Sequence, residues 1–340
     1  MRKTINRIIY WGNLLAAFLL LISFVLPYLP PKTFPTLSLL SLIVSLLIIV
    51  NLIFAIYWAV QLRRRFFVSF IVLVISYFYF NVFYEVSSEG DASQYNSTLN
   101  VLSYNVRLFN AYEENPKADA SQIISEIFFE EDPDVICVQE YYKPNKIDFS
   151  AYPYQYIHFK SEKAKLGHAI FSKYPLINTG AFNFEDTYNN TLYADVVKGN
   201  DTIRIYSLHL QSLGIIPRVS FLQESDNEKL RKRVSSAFEK QQKQVEAILE
   251  HKRKITNPVL ICGDFNNTPF SYSYRKLKEG MQDAFRERGN GLGTTFKFES
   301  YPMRIDYIFA SEELDILSFD TMKKTFSDHY AVRATVGFKN

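Results

Sequence analysis

ICGDFNNTPFS, residues 261–271, ends an apolar run on Gly263 and follows it at once with Asp264 and Asn266. A strand that finishes on a carboxylate and an amide, with a glycine to let the backbone turn, has placed costly polar groups at its mouth. Burying a carboxylate without a partner costs several kcal/mol, so the stretch calls for a partner, a cation or a chemical use.

Working outward, other apolar runs end or begin the same way. SYNV closes on Asn105, VICVQE on Glu140, and YSLHLQS carries His209 near its end. MRIDYIF holds Asp306, and FSDHYAV opens with Asp328 and His329. Singly, each has a plain structural reading: a turn residue, a strand exit, a satisfied histidine, or a pair between Asp306 and Arg304. Six such clusters on separate strands point instead to one shared site, with carboxylates for a hard cation and histidine for acid–base work. The pattern predicts strands over 99–106, 134–139, 153–159, 167–172, 192–197, 202–209, 258–263, 304–310 and 329–337. Helices are expected over 118–131, 230–252 and 272–279. No simple βα alternation is present, so two mixed sheets packed face to face with helices outside are expected rather than a doubly wound sheet. Cys137 and Cys262 lie within two of the apolar runs and read as small buried hydrophobes.

The ordered set SYNV, QE, SLHLQS, GDFN, RIDYIF and SDH resembles the endonuclease/exonuclease/phosphatase superfamily, in its deoxyribonuclease and neutral sphingomyelinase branches, over residues 98–338. The resemblance implies an α+β fold, a two-sheet β-sandwich flanked by helices in four α/β/β/α layers. It implies hydrolysis of phosphodiester or phosphomonoester bonds with Mg²⁺, Mn²⁺ being a substitute. Glu140 matches the principal metal ligand, with Asn105 beside it and Asp328 a second metal contact. Asp264 matches the residue that orients or deprotonates the attacking water, and Asn266 and Asn105 match contacts to the phosphate. His329 matches the catalytic histidine and Asp306 its orienting carboxylate. His209 matches a phosphate-contacting histidine, with the assignment of acid and base left open. In the abasic-site enzymes a Tyr precedes the strand that is GHAIFSKYP here; Lys165 falls near that place, which argues against DNA repair. His168 in that strand reads as a packed histidine.

The N-terminal quarter is different in kind. Residues 8–29, 37–60 and 66–84 are almost wholly apolar, and each has about the 20 residues that cross a hydrocarbon core. Three transmembrane helices are expected over 1–86, then a polar linker over 87–97 and a catalytic domain over 98–340. Arg2, Lys3, Arg7 and the Arg63–Arg65 loop flank the spans on one side, and Lys32 alone marks the first loop. The positive-inside rule puts the N-terminus in the cytoplasm and the catalytic domain on the periplasmic or extracellular side of a plasma or inner membrane.

Residues 1–90 hold seven of the 38 Lys/Arg and two of the 35 Asp/Glu, leaving 31 basic against 33 acidic residues in the rest. A domain that grips duplex nucleic acid usually carries a clear basic excess, so a lipid headgroup or similar ester is the favoured substrate. The alternatives are a surface nuclease for extracellular DNA or RNA, using Lys160, Lys163, Lys165 and Lys173, and an inactive scaffold. The bilayer is the expected partner, with no obligate protein partner. The 213–232 stretch reads as a solvated excursion, or alternatively as a lid or membrane-facing flap.

Overall fold

The structure, a computed structural model, describes residues 2–80, 84–113, 120–145, 147–299 and 301–339. Runs mostly rich in β-branched and aromatic residues form twelve strands in two six-stranded sheets. In chain order they are β1 (Thr98–Asn105), β2 (Val135–Tyr142), β3 (Tyr154–Phe159), β4 (Leu166–Ser172), β5 (Leu176–Phe182), β6 (Thr191–Lys198), β7 (Asp201–His209), β8 (Val259–Asp264), β9 (Met281–Asp283), β10 (Asp306–Ser311), β11 (Leu314–Thr321) and β12 (Val332–Phe338). One sheet has the order β11-β12-β1-β2-β4-β3 and the other β9-β10-β8-β7-β6-β5. At the centre of each lies one parallel pair, β1/β2 and β7/β8. The other pairs are antiparallel.

This arrangement decides where the site falls. The C-terminal ends of both parallel pairs share one edge of the sandwich with the N-terminal starts of β10 and β12. In register, Asp264 lies beside His209 on one side and Asp306 on the other. Asn105 lies opposite Gln139, one residue before Glu140.

Between the sheets lies an apolar layer that includes Val101, Val135, Leu260, Ile308 and Val332, with both cysteines buried in it as free thiols. Outside one sheet, Ile124, Ile127 and Phe128 of the helical segment 120–130 cover β1, β2 and β4. Outside the other, the 26-residue helix Asn227–Lys252 lays Val245 and Ile248 over β7 and β8. The four layers expected from the sequence are present. Three strands were not foreseen: β5, the short β9 and β11. LINTGAF (β5) is a largely exposed edge with a bulge between Ile177 and Gly180. The alternation of β11 is broken by a bulge between Ile316 and Ser318.

Gly263 is not a turn residue. It sits inside β8 at φ +127°, and a Cβ there would lie 2.1 Å from the Leu208 carbonyl oxygen. The glycine therefore serves a close approach between the two central strands. Gly263→Ala is expected to destabilise the chain by at least about 2 kcal/mol, read as a lowered denaturant midpoint; an unchanged midpoint would contradict this.

The N-terminal quarter forms helices. Two of them, Lys3–Tyr28 and Pro35–Val60, are long and apolar enough to cross a membrane. The third, Phe66–Phe80, has 15 residues, short of the roughly 20 that a span needs. Residues 81–83 of the expected 66–84 span lie outside the described residues. Large apolar side chains such as Ile8, Leu15, Phe18, Ile53, Ile56, Ile71 and Phe78 face outward. Buried polar side chains instead face inward between the helices. Ser69 donates to Asn13 and, at 2.9 Å, to Asn51, so each of the three helices contributes one.

One end of this bundle docks on the sandwich. Thr268 Oγ1 donates to the Ser41 carbonyl (2.8 Å), Tyr301 Oη to the Leu42 carbonyl (2.8 Å), and the Lys32 N–H to Gln242 (2.8 Å). Phe80 meets Phe270 edge to face with ring centres 4.7 Å apart. The arginine-bearing turns lie at the other end, where Arg65 donates to the Asn6 carbonyl. The 87–97 segment is strapped to the domain: Glu85–Val86 pairs with Asn290–Gly291, and the Gly90 N–H bonds the Leu317 carbonyl at 2.7 Å. In the 213–232 excursion, Leu213, Ile215 and Leu230 pack with Val234 and Phe238 against Leu39 and Leu42 of the helical unit.

Candidate active site

Asp264 ends β8 and is fully enclosed. Its carboxylate accepts the Asn266 N–H (2.7 Å), the Asn266 side-chain amide (3.0 Å) and the Asn105 amide (3.1 Å). Asn266 sits at φ +50°, a left-handed conformation that asparagine tolerates and that folds its side chain back toward the carboxylate. Asn105 joins the two sheets, because the same amide nitrogen also reaches Glu140 Oε1 at 3.2 Å.

Glu140 is re-aimed by the backbone. β2 loses register between Val138 and Tyr141, and Glu140 lies there at φ +55°. Such a bulge beside a site turns a side chain that simple alternation would send elsewhere. His209 Nε2 then lies 3.7 Å from both Glu140 Oε1 and Asp264 Oδ2.

His329 comes from the loop before β12 rather than from the strand itself. Its Nδ1 lies 3.0 Å from Asp306 Oδ2 and 3.1 Å from Oδ1, and its Nε2 lies 3.7 Å from Asp264 Oδ2. The pair Asp306–Arg304 does not form. Arg304 makes a buried ion pair with Asp283, at 3.0 and 2.8 Å, which leaves Asp306 to the imidazole. Asp328, beside His329, is partly exposed and lies 3.7 Å from Arg107 Nε.

The charges are coupled. Burial pushes the Asp264 carboxyl up to about 7, helped by Asp306 and opposed by His329 and the amides. Burial alone would lower His329, but the Asp306 and Asp264 carboxylates outweigh it and raise the imidazole to about 10. His209 falls well below its ordinary value through burial, then through His168 and His329. Burial raises Glu140 despite the opposing effect of His329 and Asn105. The site thus holds an imidazolium, a neutral imidazole and carboxylates short of positive charge.

All of the residues singled out in the sequence meet here: Asn105, Glu140, His209, Asp264, Asn266, Asp306, Asp328 and His329. Supporting groups were missed. Ser327 donates to the Asn105 carbonyl (2.8 Å) and accepts the His329 N–H (3.1 Å), fixing the loop before β12 to the end of its sheet neighbour β1. Thr295 Oγ1 accepts the N–H groups of Ile305 and Asp306, at 3.0 Å each. After Asn105, residues 107–110 all have left-handed φ values of 44–55°. Phe109 and Asn110 hold that run by packing on Tyr141 and Phe326 and by a bond to the Phe326 carbonyl. None of these residues is a glycine, so the sequence carried no turn signal.

His168 is a packed histidine, as expected. Its Nδ1 meets Asn190 Oδ1 at 2.9 Å and its Nε2 meets Ser207 Oγ at 2.7 Å. Ser207 continues to Gln139 (3.1 Å) and on to Ser103 (3.2 Å), which ties both sheets beneath the site. Burial lowers His168 from 6.5 to about 4. As pH falls from about 6.5 to 4, the unfolded chain takes up a proton that the folded chain refuses, so stability declines on acidification. The decline attributable to this group is expected to be about 3 kcal/mol. His168→Gln removes it: urea midpoints measured down to pH 4.5 fall less steeply in the variant, and parallel curves would contradict the assignment.

A two-sheet sandwich with carboxylates, amides and imidazoles gathered where its two parallel pairs end is a phosphoesterase/nuclease-type fold. The chain belongs to the Endonuclease/Exonuclease/phosphatase family, whose model matches residues 102–329. Members of this family are typically hydrolases of phosphate esters and typically use divalent metals. Residues 6–83 match a domain of unknown function (DUF8431). No curated protein matches the chain. Among solved structures, an endonuclease/exonuclease/phosphatase family protein from Bacteroides thetaiotaomicron is 16% identical, over 72% of this chain and 99% of its own, with a TM-score of 0.53. The human Nocturnin catalytic domain with bound sulfate anion is 18% identical over 71% and 95%, with a TM-score of 0.53. A Beutenbergia cavernae endonuclease/exonuclease/phosphatase is 18% identical over 72% of each chain, with a TM-score of 0.52. At these identities the likeness is one of fold.

Proposed function

We propose that this protein is a membrane-anchored, metal-dependent phosphoesterase that hydrolyses the headgroup ester of a lipid on the outer side of the membrane. The observation that carries the lipid reading is the docking of the helical bundle. The end opposite the arginine turns holds Thr268, two residues beyond Asn266, and Tyr301, on the hairpin whose Phe296 bridges to His329. A site whose flanking loops rest on the outer ends of membrane helices faces substrates in the adjacent leaflet. The candidate lysines for a nucleic-acid groove are in part otherwise engaged. Lys160 donates to the Phe184 and Thr187 carbonyls (2.7 and 2.6 Å), and Lys173 pairs with Asp132 at 2.6 Å.

The donor set fits a hard divalent cation. Glu140 and Asp328 offer carboxylate oxygen and Asn105 its Oδ1, which at present accepts the Arg107 N–H at 3.0 Å, and the partly exposed Glu140 carboxylate has only an amide and a distant imidazole as partners. Those three residues would hold Mg²⁺ or Mn²⁺, which supplies Lewis-acid stabilisation of charge on the phosphate oxygens. The remaining work belongs to the chain. Asp264, held by three N–H donors, orients the attacking water and accepts its proton. His329, held by Asp306, presents Nε2 to a non-bridging oxygen, and His209 and Asn266 take further phosphate contacts. Asn266 does so by releasing one of its present acceptors, Leu210 O or Asp264.

The docking can be tested in the full chain reconstituted in vesicles. Thr268→Val with Tyr301→Phe is expected to lower turnover of vesicle lipid about tenfold, because misplacing site loops is costly. Hydrolysis of a soluble generic phosphodiester should change far less. Equal lipid turnover in variant and wild type would contradict the reading.

A further inference from the structure

A second site lies at the seam between the helical unit and the sandwich, apart from the catalytic residues. It is a groove of about 450 Å³. Tyr28 and Tyr79, from the docked ends of Lys3–Tyr28 and Phe66–Phe80, form one wall. Arg275 and Lys278, from the short helix Tyr272–Lys278, and Arg286 form the other. None of the residues assigned to the catalytic site lines it.

Its lining carries three cations against two carboxylates, with Glu85 near Arg286 just outside it. Among the described residues, none of these three cations makes a salt bridge, although the chain pairs many others. Arg275 Cζ lies over the Tyr28 ring, 4.2 Å from its centre. Arg286 Nε is buried with no hydrogen-bond partner. Of the two carboxylates on the lining, Glu279 is engaged by Lys276 at 3.4 Å, and Glu312 is solvent-exposed. Lys278 is half-buried; desolvation and then Arg286 lower its ammonium pKa, opposed by Asp283 and Glu287. Solvent alone is a poor partner for such a set, and a strong anion is a good one.

The depth of the groove says which anion. Tyr79 Oη donates to the Phe24 carbonyl at 2.7 Å, so the tyrosines mark the last turn of the helices before the domain. Tyrosine at that level belongs to the membrane–water boundary, where lipid phosphates lie. Lys and Arg beside membrane helices at this level attract anionic headgroups by charge. Pro27, Phe80 and Met281 supply apolar wall on the same groove for the glycerol and upper acyl chain. We infer that the groove binds the headgroup of an anionic phospholipid, held by Arg275, Lys278 and Arg286, as a site separate from the catalytic one. The inference rests on the reading of the N-terminal helices as membrane spans. It does not depend on which ester the catalytic site cleaves.

The test uses the full chain in nanodiscs of phosphatidylcholine, or of phosphatidylcholine and phosphatidylglycerol in equal amounts. Native mass spectrometry after transfer to detergent counts the lipid retained. The expected result is retained phosphatidylglycerol on the wild type and about thirtyfold less on Lys278→Gln/Arg286→Gln, as two lost phosphate contacts at the surface would give. Lys278→Arg should retain the lipid. Unchanged hydrolysis of a soluble phosphodiester shows that the double variant is folded. Equal phosphatidylglycerol on variant and wild type, or equal retention of both lipids, would overturn the inference. Displacement of the lipid by millimolar inorganic phosphate would overturn it in favour of a soluble anion. Release of the chain from vesicles by alkaline carbonate would overturn the anchor reading and the lipid site together, whereas an embedded chain with equal lipid counts overturns the groove alone.

Discussion

Asp264→Asn is expected to lower turnover of any substrate by about three orders of magnitude or more while leaving the fold in place. The asparagine keeps the shape and can still accept hydrogen bonds through its oxygen. It cannot take a proton from water, and it brings an NH₂ group into a site where Asn105 and Asn266 already point N–H groups at that position. The carboxylate also faces His209 and His329 at 3.7 Å each, and its loss leaves the His329 imidazolium paired with Asp306 alone. Because the charge at this buried position is removed rather than stranded, stability should change little, and kcat should fall far more than KM rises. A variant that retained more than about a tenth of wild-type activity would exclude Asp264 as the proton acceptor.

Glu140→Gln is expected to be comparably damaging by another route. Glu140 is one of two carboxylates among the three oxygen donors and sits at φ +55° on a strand bulge, a conformation that the surrounding structure must over-determine to hold. Replacing its carboxylate with an amide removes a full negative charge from the donor set. Metal affinity should fall by at least about a hundredfold, and activity at limiting Mg²⁺ by about two to four orders of magnitude. Two readouts separate this from Asp264→Asn. Calorimetric Mg²⁺ binding should vanish in Glu140→Gln and persist in Asp264→Asn, and raising Mg²⁺ should restore part of the activity only in the former. Unaltered Mg²⁺ affinity in Glu140→Gln would place the cation elsewhere. The candidate for that is the cluster of Asp264, Asp306 and His329, whose ligand atoms lie within 4.8 Å of one another. His329 Nδ1 is already committed to Asp306 there, which is why the oxygen-only set is favoured.

The sandwich was legible because its apolar runs are short, β-rich and finished by polar residues that no core wants. The same residues disclosed the site, since Asp264, Asp306 and His209 end or begin neighbouring strands in register. What stayed hidden depends on backbone conformation. Glu140 reaches the site through a bulge, residues 107–110 run left-handed without a glycine, and Gly263 is required by a neighbouring strand rather than by a turn. None of these leaves a local mark on a single sequence. Edge strand β5 escaped because an exposed, bulged strand lacks the alternation that a buried one shows. The docking of the helical unit was equally unreadable, as it rests on scattered contacts such as Thr268 to Ser41 and Phe80 to Phe270. Arg304 also shows how proximity in sequence misleads: it chooses Asp283, 21 residues away, over Asp306.

The decisive measurement is a parallel hydrolysis assay on the full chain reconstituted in vesicles with Mg²⁺. Sphingomyelin, phosphoinositides, plasmid DNA and RNA are offered side by side, each with the Asp264→Asn variant as control. Release of a lipid headgroup by the wild type, absent in the variant, is the result expected of a membrane-anchored lipid phosphoesterase. Turnover of DNA or RNA with the lipids untouched would contradict it and make the protein a surface nuclease, and no turnover of any substrate by a chain that binds Mg²⁺ would point to a scaffold.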